Sequence, residues 1–281
     1  EGRVARVPEH PSSGQRQTLE LRQHACCGNT PAAAHTMAGV FKHRLGELTV
    51  HEFAPAGTAL ATVLTVHPWA VLGGGEHNCL GVARELAAAG LRALTFEMRS
   101  SSATWGVLSA HRSEIAQVAS VGVWASERWE APLVLFGSSA GAPIAGSALP
   151  ALPQAVAYIA VGYTFGWFAT LGFGRHFGSL LRSQVPKFFL MGEKDEFTSQ
   201  AVLQRTVGKA SGEKNDVLIV PGVGHFELEQ STHDSLVAAE ALKWLLSVLP
   251  HRTCATSSAA AAAGSSTEAP PSRSSAAEAG A

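Results

Sequence analysis

The chain has 281 residues and a mass of 29.3 kDa, with 15% charged and 46% apolar residues. Its 21 Lys and Arg balance 22 Asp and Glu, which leaves a formal net charge of -1. A chain of this length can bury a sizeable core in one large domain or two small ones. The composition excludes a collagen, a coiled coil and a disulfide-stapled miniprotein. The balanced charge provides no basic field that would attract nucleic acid.

The two ends of the sequence differ from its middle. Residues 1–36 are rich in polar side chains and show no amphipathic period, so we predict a disordered N-terminal tail. A targeting peptide, or sequence upstream of a start at Met37, is an equally open interpretation. Residues 251–281 are mostly Ala, Ser, Gly and Pro, which predicts a low-complexity disordered tail. One domain is expected between them, over residues 37–250.

The cysteines and the uncharged segments bear on location. Four cysteines, Cys26, Cys27, Cys79 and Cys254, form no CxxC pair and no cluster with zinc-ligand spacing. We expect reduced thiols in a cytoplasmic protein without a metal or a cofactor, or an organellar location if residues 1–36 are a targeting peptide.

Residues 131–174 contain no Asp, Glu, Lys or Arg, but prolines and glycines interrupt them. A buried part of a sheet is therefore expected there, not a transmembrane segment.

Short apolar runs alternate with helical patterns through the middle of the sequence. The predicted strands are residues 48–53, 62–67, 91–97, 132–137, 155–161, 186–192 and 216–222. The predicted helices are residues 78–89, 110–128, 140–149, 198–210 and 231–249. This alternation predicts an α/β protein with a mostly parallel central sheet and helices on both faces. In such a sheet the ligand site is expected beyond the carboxyl ends of the strands.

A nucleophile motif follows the fourth predicted strand. Residues 137–141 read Gly-Ser-Ser-Ala-Gly, which is G-x-S-x-G between a strand and a helix. The small residues allow a sharp turn that raises the hydroxyl of Ser139 to the carboxyl edge, beside a helix N-terminus. We therefore predict that Ser139 is a nucleophile and that Ser138 has a packing role. A plain Gly/Ser-rich turn is the alternative.

At this motif the chain resembles the α/β-hydrolase superfamily. The sequence His67-Pro68 followed by Gly73-Gly74-Gly75 resembles its small serine hydrolases with little or no cap. The resemblance implies the chain order nucleophile, acid, histidine. The chain has only three Asp, and Asp195 is the one that follows a strand at the carboxyl edge and precedes a suitable histidine. Asp195 is therefore the expected acid of the triad. Glu193 and Glu196 stay open as alternatives.

The histidine and the oxyanion hole complete the predicted site. His225 follows the last predicted strand in Pro-Gly-Val-Gly-His-Phe, a loop pattern that matches the family, so it is the expected general base. The resemblance implies that one oxyanion-hole N–H comes from the residue after the nucleophile, here Ala140. It places the second in the loop after strand 62–67, where Pro68 has no N–H and Trp69 is the expected donor. We expect His67 to brace that loop.

The lid and the substrate pocket are predicted from the short interval between strands 155–161 and 186–192. That interval leaves room for one short helix or a loop, which predicts a minimal lid. The aromatic residues Trp105, Phe165, Trp167 and Phe226 are candidates to line an apolar pocket, although ordinary packing against the sheet is the alternative.

These residues together indicate a serine hydrolase. We expect it to cleave carboxylic ester or thioester bonds of a small to medium apolar substrate through an acyl-enzyme. The alternatives are a serine peptidase, a non-catalytic interaction module on the same fold, and a lipid hydrolase that uses residues 163–173 at a membrane surface. No nucleic-acid partner and no transmembrane segment are expected, and the sequence leaves the oligomeric state open.

Overall fold

A computed structural model of the chain describes residues 4–6, 36–70, 73–99, 111–165 and 177–249. Within these ranges, nine strands form one sheet. The strands are β1 (Val4–Arg6), β2 (Met37–Leu45), β3 (Leu48–Pro55), β4 (Thr62–Val66), β5 (Arg92–Phe96), β6 (Leu133–Ser138), β7 (Ala155–Val161), β8 (Lys187–Gly192) and β9 (Asn215–Val220). Their order in the sheet is β1-β9-β8-β7-β6-β4-β5-β3-β2.

Most neighbouring strands run in the same direction. Every pair from β1 across to β5 is parallel, whereas β3 is antiparallel to β5 and β2 is antiparallel to β3. The carboxyl ends of β4, β6, β8 and β9 therefore lie at one edge of the sheet. Loops that follow these strands can bring residues from distant parts of the chain together.

The described part of the chain also contains seven α-helices. They are α1 (His77–Ala88), α2 (Arg112–Arg128), α3 (Gly141–Ala148), α4 (Phe177–Arg182), α5 (Gln200–Val207), α6 (His225–Leu228) and α7 (Asp234–Val248). Short 3₁₀ turns lie at Leu149–Ala151 and Ser231–His233. None of the helices in these ranges has the length and apolarity that a membrane crossing requires.

The hydrophobic core has two layers, one on each face of the sheet. Alternate residues of a strand enter opposite layers: Leu135 packs with α2, α3 and α5, whereas Val134 and Phe136 pack with α1 and α7. All three side chains are 2% exposed or less. A sheet covered on both faces explains why its central strands are continuous apolar runs. The predicted α/β architecture, mostly parallel with helices on both faces, is confirmed.

Two strands and one short helix were not predicted from the sequence. Strand β2 lies at an edge of the sheet, where Val40 is 47% and Phe41 is 50% exposed, so it lacks a clear apolar pattern. Strand β1 pairs with the opposite edge, in parallel to β9. Helix α4 fits the single short helix allowed in the interval between β7 and β8. Helix α6 begins at His225, which was expected in a loop.

Lys187 anchors the amino-terminal edge of the sheet at the start of β8. The side chain is fully buried, and its Nζ donates to the backbone carbonyls of Ser183, Val185 and Ser211 at 2.7, 3.0 and 2.6 Å. Burial lowers the pKa of Lys187 to about 8. The ammonium group joins the segment before β8 to the segment before β9.

We expect Lys187→Met to lower the free energy of unfolding by about 2–4 kcal/mol, because three backbone carbonyls lose the donor that they share. Urea denaturation followed by circular dichroism measures this change. The matched control is Lys214→Met, since the side chain of Lys214 makes one bond to Ser247 at the surface. The control should change the free energy of unfolding by about 0.5 kcal/mol or less. Equal effects of the two substitutions would contradict the anchoring role.

Candidate active site

The turn between β6 and α3 has the geometry of a nucleophile elbow. Ser139 adopts a left-handed backbone conformation with φ of 51°. This conformation costs a non-glycine residue about 1–2 kcal/mol. Its N–H donates to the carbonyl of Val161 at 2.8 Å, and its carbonyl accepts from the N–H of Ala142 at 3.0 Å. These bonds hold the strained residue in place, and such strain is often found where a side chain must be presented for function.

Close packing explains the two glycines of the motif. A Cβ atom on Gly137 would lie 2.4 Å from Cα of Ala142, and one on Gly141 would lie 2.2 Å from the carbonyl oxygen of Val66. No side chain fits at either distance. Glycine therefore lets the elbow turn tightly and pack directly against the end of β4.

We expect Gly141→Ala to lower the free energy of unfolding by about 2–3 kcal/mol, because the added methyl group must displace the backbone of β4. Chemical denaturation measures the loss. Gly57→Ala is the control, since no atom lies within 4 Å of a Cβ built there. A Gly141→Ala protein as stable as the Gly57→Ala control would show that the elbow is not packed this tightly.

The structure brings Ser139, His225 and Asp195 together in a hydrogen-bonded series. Ser139 Oγ lies 2.7 Å from His225 Nε2, and His225 Nδ1 lies 2.6 Å from Asp195 Oδ2. The side chains of His225 and Asp195 are each 1% exposed. The residues follow β6, β9 and β8, so all three lie at the carboxyl edge of the sheet.

The second oxygen of Asp195 determines how the imidazole ring is protonated. Asp195 Oδ1 accepts from the N–H groups of Phe197 and Thr198 at 2.9 and 2.8 Å. Both carboxylate oxygens therefore act as acceptors, and His225 Nδ1 must donate to Oδ2. Nε2 is then left with its lone pair, which can accept the proton of the Ser139 hydroxyl.

Three glutamates near these residues bind backbone N–H groups of the turn before α6 and of His225, the first residue of that helix. Glu193 accepts from the N–H of Gly222 at 2.9 Å, and Glu196 accepts from the N–H of His225 at 3.0 Å. Glu227 accepts from the N–H of Gly224 at 2.7 Å. Sequence reasoning missed these contacts, although a Glu three residues into a helix is a known capping signal that points to Glu227.

The predicted oxyanion-hole residues lie on adjoining segments. Ala140 is 6% exposed and directly precedes α3, and the loop after β4 lies against the first residue of that helix. The indole ring of Trp69 packs edge-on against His111 with ring centroids 5.9 Å apart. His67 braces this loop, because its Nδ1 lies 2.6 Å from the carbonyl of Pro68 and its Nε2 accepts from the N–H of Met98 at 2.9 Å.

The four residues that were predicted to contact the substrate differ in their surroundings. Phe226 is 50% exposed, and its ring lies edge-on to His225 with centroids 5.4 Å apart. Phe165 is 6% exposed and stacks on Tyr163 at 3.9 Å, within an aromatic part of the core. Trp105 and Trp167 lie outside the described residues.

Two further residues near the triad were not singled out from the sequence. Phe197 packs against the ring of His225 at 4.6 Å, and its position two residues after Asp195 was the available signal. The carboxyl group of Glu229 lies 3.8 Å from His225 Nε2, four residues further along the chain. Residues four positions apart on a helix lie on the same face, which is why Glu229 lies near His225 at the end of α6.

Solved structures of other proteins show which fold this chain has. No family model matches the sequence, and no curated protein matches it. An α/β serine hydrolase homologue from Coxiella burnetii has a TM-score of 0.59 and 20% identity, over 73% of this chain and 98% of that one. A lid-free α/β serine hydrolase from Xanthomonas campestris has a TM-score of 0.57 and 19% identity, over 74% of this chain and 95% of that one.

A dienelactone hydrolase from Anabaena variabilis gives a similar result. Its TM-score is 0.59 at 18% identity, over 78% of this chain and 100% of that one. All three structures are aligned over nearly their full length, and at these identities the likeness establishes the fold. The chain has the α/β-hydrolase fold, as expected from the G-x-S-x-G motif.

Proposed function

We propose that the protein is a serine hydrolase that cleaves carboxylic ester or thioester bonds through an acyl-enzyme. The observation that carries this proposal is the bonded series from Ser139 through His225 to Asp195. Its members come from three distant segments of the chain and meet at the carboxyl edge of the sheet, where the side chains of His225 and Asp195 are almost completely buried. The names of the structural neighbours, which include serine hydrolases and esterases, support the same class.

In the acylation step, His225 Nε2 takes the hydroxyl proton while Ser139 Oγ forms a bond to the carbonyl carbon of the substrate. Asp195 stabilises the resulting imidazolium and holds the ring in orientation. The backbone N–H groups of Ala140 and Trp69 are proposed to bind the oxyanion, where one donor contributes about 2.7–4 kcal/mol. His225 then gives its proton to the departing alcohol or thiol, and the acyl group stays on Ser139.

In the deacylation step, His225 takes a proton from water while the water oxygen attacks the acyl carbon. The tetrahedral intermediate collapses, the bond to Ser139 Oγ breaks, and His225 returns the proton to Oγ. A carboxylic acid leaves, and the resting hydrogen bonds form again. The fixed donation from His225 Nδ1 to Asp195 keeps Nε2 available for both transfers.

We propose a substrate of small to medium size with an apolar acyl group. About 25 residues separate β7 from β8, and they include the short helix α4, so a large cap has no room there. Phe226 and Phe197 present aromatic surface beside the His225 ring, and their own ring centroids lie 5.5 Å apart. Open access together with apolar walls favours simple esters or thioesters over large polar substrates.

A substrate panel with a matched variant tests the proposal. Purified wild type and Ser139→Ala are assayed with nitrophenyl acetate, butyrate and octanoate, an acyl-coenzyme A thioester and a prolyl nitroanilide. We expect a burst of nitrophenol from wild type and none from Ser139→Ala. Turnover of the anilide alone would identify a peptidase. A folded wild-type protein without turnover on any substrate would indicate a non-catalytic interaction module.

A further inference from the structure

Glu229 is a second carboxyl group beside the predicted base. It follows α6 directly, and its side chain is 10% exposed. Glu229 Oε1 lies 3.8 Å from His225 Nε2, whereas Asp195 contacts the other ring nitrogen, Nδ1. The imidazole ring therefore has a carboxyl group at each of its nitrogen atoms.

The oxygen of Glu229 that faces the ring lacks a hydrogen-bond partner among the described residues. Oε1 is buried and makes no hydrogen bond there. An unpaired buried oxygen is unfavourable by about 1–3 kcal/mol, so its presence requires an explanation. In the resting site Nε2 accepts from Ser139 and has no proton to offer. During the reaction Nε2 gains a proton and a positive charge, and Oε1 then faces a favourable partner.

The surroundings of Glu229 determine how easily it ionises. Burial raises the pKa of Glu229, while His225 and the hydroxyls of Ser139 and Ser138 lower it and Asp195 raises it. A cavity of about 10 Å³ adjoins the carboxyl group and has room for one water molecule. A water molecule at this position could solvate the charged form.

The other titratable groups around that cavity are Cys79 on α1 and Asp234 on α7. Burial raises the pKa of Cys79 to about 12, so its thiol stays protonated and uncharged near neutral pH. Burial also raises the pKa of Asp234, with a further contribution from Glu85. The groups that favour ionised Glu229 are therefore the positive charge on His225 and the hydroxyls of Ser139 and Ser138.

We propose that Glu229 is a positioning residue for the base: in its ionised form it stabilises the imidazolium of His225 from the Nε2 side, opposite Asp195. The proposal rests on the function proposed above. A negative charge at this place gains nothing from the neutral ring of the resting enzyme. It stabilises the transition state, in which the ring is charged, and an interaction of that kind raises kcat.

The test compares the pH dependence of kcat/KM in wild type, Glu229→Gln and Glu240→Gln. Glutamine keeps the shape of Glu229 and removes its charge. We expect the plateau to fall about tenfold and the acid limb to move about one pH unit lower, because the charged ring loses a nearby opposite charge. Glu240→Gln removes an equal charge from α7, where Glu240 pairs with Lys243, and should reproduce the wild-type profile.

A conservative variant separates charge from packing. Glu229→Asp keeps the negative charge in the same pocket, so its acid limb should lie closer to wild type than that of Glu229→Gln. Identical profiles for wild type and Glu229→Gln would overturn the proposal. The same holds if Glu229→Asp shifts the acid limb as far as Glu229→Gln does, because loss of shape would then explain the effect.

An NMR titration of the His225 ring provides a readout that needs no substrate. The ring signal is assigned by its loss in His225→Gln, and the titration midpoint should move to lower pH in Glu229→Gln. If wild type has no activity that depends on Ser139, the proposed function fails, yet a shifted midpoint still supports the coupling between Glu229 and His225. An unshifted midpoint in a folded Glu229→Gln protein overturns the inference whether or not the enzyme is active.

Discussion

Replacing Ser139 with alanine should lower kcat on a reactive nitrophenyl ester by about 10⁴- to 10⁶-fold, the largest effect expected of any single substitution in this chain. In the proposed reaction the hydroxyl oxygen forms the acyl bond, and its hydrogen bond of 2.7 Å to His225 gives the hydroxyl proton a route to the proposed base. Without the hydroxyl no acyl-enzyme can form. Steady-state release of nitrophenol measures the loss.

The matched control for this substitution is Ser147→Ala. Ser147 lies on α3, the helix that follows the elbow, and its hydroxyl donates to the carbonyl of Pro143 at 2.7 Å. Its replacement should leave the rate at the wild-type level. Residual activity of Ser139→Ala close to wild type, in a protein free of contaminating esterase, would rule out Ser139 as the nucleophile.

Replacing Asp195 with asparagine should lower kcat by about 10⁴-fold while the fold is retained. The N–H groups of Phe197 and Thr198 require an oxygen at the position of Asp195 Oδ1. The amide of the variant must then turn its NH₂ group toward His225 Nδ1, which becomes an acceptor. The ring proton moves to Nε2, so the ring can no longer accept the proton of Ser139.

Asp216→Asn provides the control for this substitution. Asp216 is at the start of β9, at the opposite edge of the sheet, and accepts from Trp244 Nε1 at 2.8 Å. An asparagine there still offers an oxygen to the indole, so turnover should be unchanged. Thermal melts of both variants check that folding is intact. A similar loss in both, or full activity in Asp195→Asn, would contradict the role given to Asp195.

The sequence predicts those parts of the molecule that depend on short segments of the chain. Apolar runs between turn residues marked the central strands, because strands covered on both faces contain few polar residues. The G-x-S-x-G pattern placed Ser139 correctly at the elbow, since close packing at Gly137 and Gly141 leaves no room for a side chain. The scarcity of Asp reduced the choice of acid, and Asp195 is the one beside His225.

The parts that the sequence did not predict depend on contacts between distant segments. Strand β2 has two exposed apolar residues and gains its place from pairing with β3, which a local pattern does not reveal. The role of Glu196 as an acceptor for the N–H of His225 depends on contact between the segment after β8 and the start of α6. The position of Glu229 depends on helix α6, whose four residues are too few for a periodic signal.

Reaction of the purified protein with a fluorophosphonate probe shows whether Ser139 is an activated nucleophile. The probe forms a covalent bond only with a serine whose proton is removed by a well-placed base. We expect one adduct per chain by intact mass, mapped to Ser139 by peptide sequencing, and no adduct in Ser139→Ala. An adduct at another residue, equal labelling of Ser139→Ala, or no labelling of folded wild type would contradict this expectation.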